Sequence, residues 1–67
     1  MDEIIMVRFC GSHSKKQYAY YTDLELKVGD ICVVHTTDYA CVRVTDIDPS
    51  DEQQGHATKR IIAKVDV

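Results

Sequence analysis

The sequence predicts an all-β, mainly antiparallel fold: one domain over residues 1–67, built as a small five-stranded barrel or curled sheet with at most one helical turn. Three observations lead there. Five stretches rich in β-branched or aromatic residues, one nearly all apolar and the others alternating between two faces, are separated by turn-forming clusters. The one stretch that opens like a helix is cut short after a few residues.

Taken in order, Glu3 to Phe9 alternates so that Ile5, Val7 and Phe9 share one face and Ile4, Met6 and Arg8 the other, which predicts a strand. Cys10 to Lys16 supplies turn residues and charge. Gln17 to Tyr21 resumes the alternation with Tyr18 and Tyr20 on one face, so a hairpin is expected. Thr22 to Lys27 begins with an N-cap residue type, but Val28-Gly29-Asp30 follows too soon, and the segment is read as a loop or single turn. Gly29 is expected to take a positive φ that delivers the chain into a strand from Ile31 to Thr36. That strand is nearly all apolar and is expected to be the most buried.

Thr36-Thr37-Asp38 fits a hairpin connection, and Tyr39 to Ile47 alternates with Ala40, Val42 and Val44 on one face and Tyr39, Cys41, Arg43 and Thr45 on the other. Asp48 to His56, with Pro49 and Gly55, is expected to be the longest and most mobile loop. Thr58 to Val67 places Ile61, Ala63, Val65 and Val67 together, a fifth strand. Closing five short strands into a barrel hides sheet edges that otherwise invite aggregation.

A chain of 67 residues lies near the lower limit for folding without a disulfide, metal or partner, yet 45% hydrophobic residues mark a folded domain. No apolar run reaches the roughly 18 residues that cross a bilayer as a helix, and Met1-Asp2-Glu3 is acidic where a signal peptide is basic. A cytoplasmic protein with no membrane partner is therefore expected. Cys10, Cys32 and Cys41 form an odd set that a reducing compartment keeps as thiols. The net charge of −3 argues against nucleic acid as the partner.

Leu24-Glu25-Leu26-Lys27-Val28-Gly29-Asp30-Ile31-Cys32-Val33-Val34 resembles the turn that opens a core strand in SH3-like and KOW-type small barrels. The wider layout resembles a family of short bacteriophage and prophage proteins. The likeness rests on a first strand ending in Phe9 and Gly11, then Tyr18 to Leu26, Val28-Gly29-Asp30, and the closing Ala57-Thr58-Lys59-Arg60-Ile61-Ile62-Ala63-Lys64-Val65-Asp66. It implies a phage setting, and the host-cell cytoplasm as compartment, but no mechanism and no functional residue. The sequence departs from the pattern at Thr37-Asp38-Tyr39, where a glycine is the ordinary turn residue.

Two C-x-x-H pairs, Cys10/His13 and Cys32/His35, supply the right ligand count for zinc. Residues three apart in a strand point to opposite faces, however, so Cys32 and His35 cannot chelate one ion, and no metal or other cofactor is expected. Nothing in sequence gives a cysteine a base and a positive environment, and Asp46 and Asp48 read as solvated acids, so no catalytic residue and no enzyme is expected.

Tyrosine supplies four of the five aromatic residues, and exposed tyrosine is a common interface anchor. The competing expectation is that Tyr18 and Tyr20 complete the core with their hydroxyls at its rim. Two functions follow. The favoured one is a non-enzymatic protein–protein interaction module, a phage or prophage accessory protein acting on a host or phage protein. The alternative is a nucleic-acid-binding small β-barrel in which Tyr18, Tyr20 or Tyr39 stack on bases while Lys15, Lys16, Lys59 and Arg60 meet phosphates. Position discriminates them. Basic residues gathered beside the tyrosines favour nucleic acid; acids around the tyrosines favour a protein.

Overall fold

β-branched residues stiff at χ1 pack well on a pleated surface, and the chain uses them to build one curled, mainly antiparallel sheet. The computed structural model describes residues 3–65. Its strands are β1 (Glu3–Phe9), β2 (Tyr18–Thr22), β3 (Ile31–His35), β4 (Tyr39–Asp46) and β5 (Ala63–Lys64), with a single helical turn, α1 (Asp51–Gln54), before β5. The sheet order is β2-β1-β4-β3-β5.

Ile5 and Val7 on β1, Tyr20 on β2, Cys32 and Val34 on β3, and Val42 and Val44 on β4 form the main core with Leu26 and Ile61. The predicted faces of β1 and β4 are those observed. The expected ranking of burial is not. β3 alternates, with Cys32 and Val34 buried and His35 exposed, whereas β1 buries Ile5, Met6 and Val7 in succession. The reason is a second small cluster on the far side of β1, where Met6 packs with Ala19 and Ala57 and is flanked by Ile4 and Tyr21.

Between β1 and β4 the register slips at one point: Met6 faces Asp46 while Val7 faces Val44, so Thr45 is an extra residue on β4. Such a bulge sharpens local twist and helps the sheet curl. The β3–β4 hairpin closes without a glycine. The Thr36 amide donates to the Asp38 carbonyl, His35 faces Tyr39, and no described non-glycine residue has positive φ.

Thr22 to Lys27 is not helical. Thr22 is buried and its Oγ1 accepts from the Leu24 amide, closing a bend after which Leu24 and Leu26 pack on the core. Gly29 takes φ of 98°, as expected, and its amide donates to the Val44 carbonyl. The Asp30 carboxylate accepts from the Lys27 amide and thereby locks the turn.

The helical turn lies instead in the predicted long loop. Ser50 caps α1 reciprocally with Gln53: the Gln53 amide donates to Ser50 Oγ, and the Ser50 amide donates to Gln53 Oε1. The fifth strand also differs from expectation. Only Ala63–Lys64 pair as strand, against Val33 and Cys32; Ile61 is buried, while Ala63 and Val65 are exposed. The expected continuation through Asp66 and Val67 lies outside the described residues. The closing segment must serve two edges. The Tyr21 amide donates to the Lys59 carbonyl and the Ile61 amide to the Tyr21 carbonyl, tying it to β2 in a parallel bridge. One residue later it has crossed to β3, where the Ile62 amide donates to the Val33 carbonyl.

Candidate functional site

Opposed residues of an antiparallel pair share a face, and Ile5 faces Tyr20 as Val7 faces Tyr18, so both tyrosines project toward the main core. They differ in depth. Tyr20 is 6% exposed and belongs to the core; Tyr18, one pleat nearer the end of the ladder, is 38% exposed. The Tyr18 ring meets Phe9 edge-on, with centroids 5.2 Å apart, and Lys16 Nζ lies 5.2 Å from its centroid. Burial raises the Tyr20 hydroxyl above its ordinary pKa, and the neighbouring Tyr18 adds to this.

The closing segment hydrogen-bonds to β2 at Tyr21 and packs Ala57 against Ala19, and beside Tyr18 a cleft of about 730 Å³ lies between β2 and the chain leaving α1. Lys15, Lys16 and Tyr18 form one wall; His56, Thr58 and Lys59 form the other. No carboxylate is among its lining residues. The exposed acids of α1, Asp51 and Glu52, lie outside the lining, and Glu3, Asp23 and Glu25 border a separate hollow at the Thr22 end of β2.

Of the seven residues singled out in the sequence, the cleft brings together Lys15, Lys16, Tyr18, Tyr20 and Lys59. It does not include Tyr39 or Arg60. Tyr39 lies at the β3–β4 turn, 73% exposed, its ring 5.0 Å from His35. Arg60 forms the bridge to Tyr21. Sequence reasoning missed His56 and Thr58, which enter because Ala57 between them is buried and turns its neighbours outward.

The C-x-x-H pairs do not converge: Cys32 is fully buried and His35 exposed. Among the described residues no group of three His, Cys, Asp or Glu is placed to hold a metal ion. All three cysteines are free thiols, and Cys10 lies against Cys41, with the two Sγ atoms 3.0 Å apart. Burial raises the Cys32 thiol above its ordinary pKa, and Asp30 adds to the effect. Among the described residues no helix is long and apolar enough to cross a membrane. No protein-family model, curated protein or solved structure matches the chain.

Proposed function

We propose that this protein is a non-enzymatic binding module that holds single-stranded nucleic acid along the Lys15–Lys16–Tyr18–Lys59 cleft. One observation carries the reading: three of the four candidate phosphate-binding residues line one cleft with the partly exposed Tyr18, and no acid lines the same space. This is the arrangement set out above as favouring nucleic acid over a protein partner. A backbone-tracking basic groove with an aromatic platform binds single strands with little sequence preference.

The net charge of −3 opposes this, but for the acids at the Thr22 end of β2 distance weakens the opposition. Thr22 and its acidic neighbours lie four residues along β2 from Tyr18, roughly 13 Å at the usual rise per residue. Charges that far apart are largely screened at physiological salt, where the Debye length is about 8 Å. The lysines in the cleft act on a bound phosphate at much shorter range. The resemblance to phage-borne proteins supplies a setting, a small accessory protein in a bacterial cytoplasm, and the curl of the sheet is compatible with an SH3-like relationship.

Fluorescence anisotropy with a labelled oligo-dT and oligo-rU tests the reading. Three phosphate contacts predict that log K falls with log salt at a slope of about −2, since single strands give roughly −0.7 per contact. Lys15→Gln, Lys16→Gln and Lys59→Gln should each flatten the slope by about 0.7. Tyr18→Ala should cost about 1–3 kcal/mol of binding. No binding at low salt, or binding indifferent to the triple lysine variant, overturns the proposal. So does equal affinity for polyglutamate, which would make the cleft a site for acidic protein segments.

A further inference from the structure

In an antiparallel sheet, residues directly opposite one another project from the same face with Cα atoms about 4.5–5.5 Å apart, inside the range a disulfide spans. Arg8 faces Arg43 and Phe9 faces Val42, so the next step of the ladder sets Cys10 opposite Cys41. The Cys10 amide donates to the Cys41 carbonyl at 3.0 Å, and the two Sγ atoms are themselves 3.0 Å apart. Both cysteines are exposed, whereas Cys32 is buried.

The same face carries two guanidinium groups. Like charges opposed across a ladder are unfavourable unless something offsets them. Arg8 Nη2 donates to the Ser14 carbonyl at 3.1 Å, its buried Nε has no hydrogen-bond partner, and Arg43 is exposed. Arg8, Cys10 and Arg43 border one shallow hollow of about 270 Å³. A thiol pair beside two cations suits a small anionic reactant.

We propose that Cys10 and Cys41 are a site of reversible disulfide formation, whose oxidant is an anionic low-molecular-weight disulfide recognised through Arg8 and Arg43. One thiol loses its proton and attacks a sulfur of the reactant R–S–S–R. That S–S bond breaks, one R–S⁻ leaves and takes up a proton, and a mixed disulfide remains on the protein. The second thiol, already in contact, loses its proton and attacks the protein sulfur of the mixed disulfide, expelling the second R–S⁻, which is protonated in turn. The protein gives up two electrons and two protons, and R–S–S–R becomes two R–SH. Proximity makes the second step intramolecular, so the mixed disulfide does not accumulate.

The test treats the folded, reduced protein with glutathione disulfide, which is anionic, and in parallel with cystamine, which is cationic. Thiol titration after denaturation should fall from three to one, peptide mass spectrometry should find Cys10 joined to Cys41 with Cys32 free, and dithiothreitol should restore all three thiols. Cys10→Ser and Cys41→Ser should each retain a single glutathionyl adduct. Arg43→Gln, on the exposed face, should slow the reaction with glutathione disulfide about threefold or more while leaving that with cystamine unchanged or faster. A stable glutathionyl adduct on the unaltered protein, a cross-link involving Cys32, or no loss of thiols overturns the dithiol site. Equal effects of Arg43→Gln on the two reagents overturn the anion recognition.

Discussion

Tyr18 and Tyr20 sit two residues apart on one face of one strand, and the fold assigns them different work, so truncating each should have different consequences. Tyr20 is 6% exposed within the main core, and removing its ring leaves a cavity among Ile5, Val34 and their neighbours. Large aromatic-to-alanine changes at such positions cost about 3–5 kcal/mol. Tyr18 is 38% exposed; it loses an edge-to-face contact with Phe9, worth about 0.5–1.5 kcal/mol, and partial burial of comparable size. A loss of about 1–2 kcal/mol is expected. A domain of this size has about 3–10 kcal/mol in all, so Tyr20→Ala removes much of it and Tyr18→Ala leaves a folded protein. With a urea m-value near 1 kcal/mol/M, the two midpoints should differ by about 2 M. Equal midpoints, or a lower midpoint for Tyr18→Ala, would refute the division between core and cleft. The same pair then separates folding from binding, because only Tyr18 is free to meet a ligand.

The remaining predictions concern titration and backbone. Burial raises the Cys32 thiol from 9.0 and the Tyr20 hydroxyl from 10.0, so the fold keeps these protons at pH values where the unfolded chain has released them. The unfolded state therefore binds fewer protons there. Stability is unaffected by these groups below their unfolded values, and it should fall as pH rises through about 9 and further above 10. Urea titrations across the alkaline range should show this decline, and Cys32→Ala should lessen its first part without abolishing it, because burial and the Cys41 contact raise the Cys10 thiol as well. At Gly29, φ is 98° and a Cβ would meet open space, so Gly29→Ala carries backbone strain alone, about 1–2 kcal/mol. Gly11 has equal room and no positive φ; Gly11→Ala should be neutral or stabilising by about 0.4–1 kcal/mol in the same assay.

What could be read in the sequence follows from what is local. The alternation of Ile5, Val7 and Phe9 against Ile4, Met6 and Arg8 fixes faces without knowledge of partners, and Gly29 announces its own conformation. The capping box at Ser50 and Gln53 was equally local, but Pro49 and Gly55 around it suggested a loop. The closing segment misled for a different reason. Ile61, Ala63 and Val65 alternate like one strand, yet the segment leaves β2 for β3 midway, so only Ile61 reaches the core. Met6 is apolar on the face of β1 away from the main core, a sign of the second cluster that no residue nearby in sequence explains. The separation of Tyr18 from Tyr20 depends on where the ladder ends. The meeting of Cys10 with Cys41, 31 residues apart, depends on a register no local signal sets.

The two walls of the cleft are held by different forces, and this bears on the kind of ligand it suits. Lys59 lies between Ala57 and Ile61, both buried, and its own carbonyl is tied to Tyr21, so its backbone position is a by-product of closing the core. Lys15 and Lys16 belong to an exposed loop shaped by short polar contacts: the Ser14 amide donates to Ser12 Oγ, the Lys16 amide to Ser14 Oγ, and Arg8 to the Ser14 carbonyl. Displacing that loop costs a few exposed hydrogen bonds and no apolar burial, whereas displacing Lys59 opens the sheet. A fixed cation faces an adaptable pair that shares its wall with Tyr18. Under the proposed reading, such a site would track a regularly charged backbone while tolerating variation in what the backbone carries, which is the demand a single strand of mixed sequence makes. The adaptable wall is rooted at Cys10, so a bond from Cys10 to Cys41 would stiffen the lysine-bearing loop at its base and leave the Lys59 wall untouched.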